Sequence, residues 1–208
     1  MSRPSPDKAA LRLGVFGGAF DPPHRAHVAL AQAAVLQLHL DELRIFPTGK
    51  GWHKAASLTP PQHRLALAEI AFGSLPRMRV DDRELRRPGP TYSIDTLREL
   101  KAEHPAAQLF LLMGEDQAVA LTRWREWEAI LQLAIICVAA RPTAAPGPAN
   151  LSPPGLPAQA ELRVLKLPSM SESATLVRSR IAQGEGIAHL VPPGVASYIE
   201  RHHLYQPA

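Results

Sequence analysis

Apolar runs that read as strands alternate along almost the whole chain with apolar-periodic stretches that read as helices. The strand candidates are "LRLGVF" (11–16), "ELRIFPT" (42–48), a weaker "MRVDD" (78–82), "QLFLLMG" (108–114), "AIICVAAR" (134–141) and "LRVLKLP" (162–168). Unbroken apolar character over 108–114 and 134–141 predicts strands buried on both faces. Between and after them come helical patterns at 27–38, 59–73, 93–104, 124–133, 173–184 and about 194–204. Thr59 is the expected N-cap of the second helix, with Pro60 at its first helical position and Gly73 past its end. Ser93 and Ser173 are placed to cap the third and fifth. Such alternation predicts an α/β fold, a Rossmann-like, doubly wound, mostly parallel sheet with helices on both faces. Ligands of such sheets bind beyond the carboxyl ends of the strands, so functional residues are sought just after strands.

The 208 residues suit one domain, 1–208, with a substantial core. Residues 1–10 are expected to be disordered. Residues 141–160, "RPTAAPGPANLSPPGLPAQA", are rich in Pro, Ala and Gly without periodicity and predict a mobile surface loop. The start, "MSRPSPDKAA", has no apolar stretch of the signal-peptide kind, and no run approaches a membrane span of about 20 residues, so the cytoplasm is the expected location. With 23 Lys and Arg against 19 Asp and Glu the chain is mildly basic, and it carries no Lys/Arg block of the nucleic-acid-binding kind. A small anionic substrate accounts for the surplus equally well. Cys137, the only cysteine, lies in an apolar run and reads as a buried small hydrophobe.

Two segments carry chemistry. In "GVFGGAFDPPHRAH" (14–27), Gly17 and Gly18 let the backbone turn and approach a ligand, while Pro22 and Pro23 stiffen the entry to the next helix. His24 and His27, three apart, share a face if the segment is helical. The stretch is neither a dinucleotide G-x-G-x-x-G nor a Walker A loop, and no metal-ligand set accompanies the histidines. A helix start here favours phosphate, but a plain Gly-Gly turn with two surface histidines reads as well. In "SESATLVRSR" (171–180), Ser173 can cap a helix, Thr175 can offer its hydroxyl to a phosphate and Arg178 can add a bidentate fork. A capped helix with a solvated Arg is the plainer alternative. Trp124 and Trp127, three apart, suggest one packing face.

These two segments together resemble the nucleotidylyltransferase superfamily with H-x-G-H and S-x-T-x-x-R motifs. With "PTYSIDTLRELK" (90–101), "FLLMGEDQ" (110–117), "RWREWEAIL" (123–131) and "YIERHHLYQ" (198–206), the likeness narrows to bacterial nicotinate-nucleotide adenylyltransferases and spans about 11–206. It implies transfer of the adenylyl group of ATP, with Mg²⁺, to nicotinate mononucleotide, giving nicotinate adenine dinucleotide and pyrophosphate. On that resemblance, His24, His27 and Arg178 are the catalytic residues. Gly17, Gly18 and Phe20 (through the backbone), Gly114, Asp116, Ser173 and Thr175 bind ATP, with Asp116 on the ribose. Lys50, His53, Tyr92, Ser93, Trp124 and Arg125 form the acceptor site, with Trp124 stacked on the pyridine ring and amides near Ser93 and Arg125 receiving its carboxylate.

The sequence departs from the family pattern twice. Ala26 replaces the glycine of H-x-G-H, a small, helix-compatible change. In "PTGKGWHKA" (47–55), His53 and Lys54 match a Pro-Pro-His-Lys loop, but Gly51 and Trp52 replace the prolines; Trp52 either meets substrate or is an exposed loop residue. The alternatives are a nicotinamide-mononucleotide or phosphopantetheine adenylyltransferase, or a non-catalytic nucleotide-binding module. The partners implied are small molecules, with neither nucleic acid nor membrane, and self-association is left open.

Overall fold

The computed structural model describes residues 10–51, 58–140, 157 and 160–207. In chain order the elements begin with β1 (Arg12–Gly18), α1 (Arg25–Gln37), β2 (Glu42–Pro47), β3 (Lys50–Gly51), α2 (Pro61–Phe72), β4 (Met78–Val80) and α3 (Arg83–Arg86). They continue with β5 (Pro90–Thr91), α4 (Ser93–Glu103), β6 (Gln108–Gly114), α5 (Glu115–Val119) and a 3₁₀ turn at Leu121–Arg123. Then come α6 (Trp127–Leu133), β7 (Ala134–Ala140), β8 (Leu162–Lys166), α7 (Ala174–Ala182) and α8 (Pro193–Arg201). The expectations for 1–10 and 141–160 fall outside the described residues, apart from positions 10, 157 and 160. So do Trp52, His53 and Lys54.

Six strands form one sheet in the order β4-β2-β1-β6-β7-β8. Every pairing in it is parallel, with Leu13 opposite Glu42 on one side of β1 and Leu109 on the other. The winding reverses between β1 and β6, and that switch point opens the crevice where doubly wound sheets bind ligands. Side chains alternate across the sheet. Phe16, Ile45, Phe110, Leu112, Ile135 and Cys137 pack with α1, α2, α7 and α8 on one face. Leu13, Val15, Leu109, Leu111, Ile136 and Val138 pack with α4, α5 and α6 on the other. Cys137 is fully buried, and burial pushes its thiol up to about 12, so it behaves as the small hydrophobe its setting suggests.

Several local readings need correction; Ser93, expected as a cap, is instead the first residue of α4, behind Tyr92 at the N-cap. Helix α2 starts one residue later than expected, with Pro60 as N-cap, because a residue before proline is held extended. Thr59 instead donates its amide to Asp21 Oδ2 at 3.2 Å. The helix expected over 124–133 begins only at Trp127, because Glu126 takes a left-handed φ of 51° and two Arg98 nitrogens bind its carboxylate at 2.6 and 3.2 Å. Trp124 and Trp127 therefore share no helix face. The small parallel pair β3–β5 and the one-turn α3 carry no periodicity that a sequence could display. No helix among the described residues is long and apolar enough to cross a membrane.

Candidate active site

A cavity of about 700 Å³ opens over the switch point, from the β1–α1 connection at one end to Tyr92, Ser93, Trp124 and Arg125 at the other. Its volume lies within the range of small-molecule sites.

The histidine end is built by the entry to α1. Gly17 and Gly18 do not make the turn; they extend β1, opposite Phe46 and Pro47 of β2. The left-handed residue is Phe20, at φ 46°. Its ring is buried against Phe16, His27 and Phe72, with centroids 5.3–5.4 Å away, and a Cβ at Gly18 would come to 3.0 Å from it. Gly18 thus lets the Phe20 ring fold beneath the strand end, and a Cβ at Gly17 would meet open space on the cavity side. Phe20 itself is a core residue and does not line the cavity.

His24 is the N-cap of α1 and His27 its third residue; their rings lie 3.7 Å apart, 31° from parallel. The His24 amide donates to His27 Nδ1 at 3.2 Å, so a neutral His27 ring carries its proton on Nε2 as a donor. His24 is buried, and its Nδ1 lacks a hydrogen-bond partner. Burial lowers its pKa to about 4, against a smaller opposing pull from Glu172, so His24 is neutral near pH 7.

Across the cavity stands the start of α7. Ser173 lines the space and caps the helix, accepting the Leu176 amide at 3.1 Å. Thr175 and Arg178 lie just outside the lining. One Arg178 nitrogen donates to the Asp21 carbonyl at 2.6 Å and another to Thr175 Oγ1 at 3.4 Å. The fork that the sequence directed at a ligand therefore fastens α7 to the β1–α1 connection. Gly114 caps α5 and, with Asp116, lines the crevice after β6.

At the other end Tyr92 caps α4, and the Arg125 guanidinium sits 4.7 Å from its ring centroid. Trp124 leans on the second core, and its indole Nε1 is buried without a partner. Thr91 Oγ1 is likewise buried and unpartnered. Lys50, exposed on β3, does not line the cavity, and His53 lies outside the described residues.

Sequence reasoning missed the groups that brace this site. Asp21 is buried and binds the Tyr205 hydroxyl at 2.7 Å as well as the Thr59 amide. Arg64, 2% exposed, donates to the carbonyls of Ala19 (3.0 Å), Thr48 (2.7 Å) and Thr59 (3.0 Å) and so pins three loops. A signal existed for it: Arg64 stands on the same helical stripe as Leu67, Ala68 and Ala71, where a cation needs buried partners. Glu84 and Glu172 also line the cavity, and neither stands in a recognisable motif.

The cytidylyltransferase-like family profile matches residues 15–180. A probable nicotinate-nucleotide adenylyltransferase of Albidiferax ferrireducens is 52% identical over 197 residues, 95% of this chain and 99% of that protein. One from Leifsonia xyli is 40% identical over 96% of each. Among solved structures, Plasmodium falciparum nicotinic acid mononucleotide adenylyltransferase complexed with NaAD superposes with a TM-score of 0.77 at 19% identity, covering 94% of this chain and 97% of that one. A Vibrio parahaemolyticus protein described as a putative enzyme of the same kind gives 0.67 at 16% identity over 94% and 95%. Those likenesses bear out the doubly wound fold. With the sequence identities they make this chain a member of the nicotinate-nucleotide adenylyltransferases, within the cytidylyltransferase-like family.

Proposed function

We propose that this chain transfers the adenylyl group of ATP to nicotinate mononucleotide, releasing pyrophosphate, as a step of NAD biosynthesis. The observation that carries this reading is one continuous cavity joining the stacked His24–His27 pair to Trp124, Tyr92 and Ser93. A nucleotide at one end and a pyridine mononucleotide at the other would meet phosphate to phosphate between them.

The acceptor phosphate is already a nucleophile, so the protein needs no general base. An oxygen of that phosphate bonds to the α-phosphorus, the bond from it to the β-phosphate bridging oxygen breaks, and pyrophosphate leaves with the electron pair. Catalysis is then alignment plus stabilisation of charge on the transferring group. His27 donates from Nε2 to the α-phosphate, and neutral His24 holds His27 through its own amide. Gly17 and Gly18 let the triphosphate lie against the strand end, and the Gly114–Asp116 segment takes the ribose. Ser173 and the start of α7 receive the outer phosphates, while Arg178 supplies a fixed positive charge there beside Thr175. Trp124 stacks on the pyridine ring, and the start of α4 at Ser93, with Arg125, receives its carboxylate.

Mg²⁺ enters as part of the ATP substrate. The cation would be ligated chiefly by triphosphate oxygens, with few protein ligands. The whole chain forms the catalytic domain, acts on small molecules alone and works in the cytoplasm.

The test is pyrophosphate release from MgATP with nicotinate mononucleotide, nicotinamide mononucleotide or phosphopantetheine offered separately. Strong preference for the nicotinate acceptor is expected. Preference for another acceptor overturns the acceptor site, and release with none overturns the reaction.

A further inference from the structure

The tryptophan end of the cavity contains a carboxyl group that the reaction as described leaves unused. Glu84 of α3 is 5% exposed and lines the cavity with Thr91, Tyr92 and Ser93. One of its oxygens, Oε1, accepts the Thr96 hydroxyl at 2.7 Å, and Thr96 Oγ1 in turn accepts from Arg87 at 3.3 Å. The Glu84 backbone carbonyl and Thr91 Oγ1 both crowd Gly49, where a Cβ would collide with each. The Thr96 bond holds this carboxyl against the first turns of α4, beside the place proposed for the ring substituent of the acceptor.

We infer that Glu84 is a specificity-determining residue of the acceptor end: as a neutral acid it donates a hydrogen bond to an anionic ring substituent, and as an anion it repels that substituent and accepts from a carboxamide instead. The inference rests on the proposed adenylyl transfer to a pyridine mononucleotide.

Two independent features support it. First, Thr96 engages Oε1 alone, and Oε2, which is not among the fully buried unpartnered atoms, is left to meet a group placed in the cavity. Second, the charges around it are balanced so that either state is accessible. Arg87, from the end of its own element, and the Thr96 hydroxyl favour the anion, whereas Glu99 on α4 and Asp81 after β4 oppose it. Desolvation outweighs them all and raises the carboxyl to about 7. A carboxylate placed in the cavity would favour the neutral form further.

The test compares kcat/KM for nicotinate and nicotinamide mononucleotides at saturating MgATP across neutral pH, using the full chain. Titrations common to both acceptors, such as those of their phosphates, cancel in the ratio. In the wild type the nicotinate-to-nicotinamide ratio is expected to fall about tenfold or more as pH rises through neutrality, since one ionised carboxyl replaces a donor by a like charge. Glu84→Gln offers both a donor and an acceptor at every pH, so its ratio should be flat. Thr96→Val removes a hydrogen bond to the anion and should move the midpoint upward, a change that simple loosening of the fold would not give. A flat wild-type ratio, or an unchanged pH profile in Glu84→Gln, overturns the role of Glu84 alone. Turnover with neither acceptor overturns the adenylyl-transfer reading and this inference with it.

Discussion

The histidine end and the tryptophan end of the cavity handle buried charge in opposite senses. At the first, burial strips a proton from His24 and leaves a neutral ring near pH 7. At the second, burial retains a proton on Glu84 up to about pH 7. Desolvation is the cause in both, because it penalises whichever form is charged. The ends also differ in origin. Residues 17–27 supply most of the first from one contiguous stretch, whereas the second draws on β5, α3, α4 and the turn before α6. A site that binds phosphate can be made by one strand–helix connection; a site that discriminates a ring substituent needs groups converging from several sides.

The sharpest way to break this comparison is at the histidine end. His27→Ala removes the Nε2 donor and is expected to lower turnover by about 10³-fold, as loss of a donor to a developing charge does. Circular dichroism should remain native, and the KM for the acceptor should change little. At the other end, Trp124→Ala should weaken acceptor binding by about tenfold to a hundredfold, the magnitude of lost ring stacking. Its KM for ATP should stay within about twofold, since the two ends bind different groups. Equal losses for both substrates would mean that Trp124 supports the cavity instead of the ring.

Stability against pH probes the same contrast. His24 has its folded pKa below its ordinary value of 6.5, so the stability of its neutral form is present above 6.5 and lost as pH falls towards about 4. Glu84 has its folded pKa above 4.5, so its contribution is present below 4.5 and lost as pH rises through about 7. Between pH 4.5 and 6.5 the two slopes oppose each other and largely cancel. Glu84→Gln removes one of them. Its stability relative to wild type should improve by about 2 kcal/mol between mildly acidic and mildly alkaline pH, measured by chemical denaturation. No change with pH would mean that Glu84 is better solvated than its burial indicates. The smallest effect is expected from Tyr205→Phe, which takes one hydrogen bond from buried Asp21 and should cost about 1.5 kcal/mol, lowering Tm by about 3–6 °C.

The parts legible in the sequence are those written in local pattern. Alternating strands and helices announced the parallel sheet, and Ser173 reads as a cap because its hydroxyl reaches only its own helix. The motif histidines are three apart and meet within one turn. Illegible were the contacts made across the fold. Arg178 looks like a free fork from the sequence, yet it is committed to a carbonyl 157 residues away. Asp21 resembles a turn residue before two prolines, although its carboxylate joins the Thr59 amide to Tyr205. The motif gives Phe20 a backbone role, and nothing local shows that its ring is buried in the core from a left-handed backbone. Glu84 stands in a charged run, and only the packing of α3 beneath α4 removes it from water.

The Asp21–Tyr205 bond spans 184 positions, and the sheet beneath it contains only parallel pairs. No strand of that sheet can find its neighbour through a hairpin, so assembly waits on long crossovers. The segment after α8 helps to hold the connection that carries His24 and His27, through the Tyr205 hydroxyl on Asp21. A nucleotide bound at the histidine end stabilises that connection by mass action, and with it the distant docking of Tyr205 on Asp21.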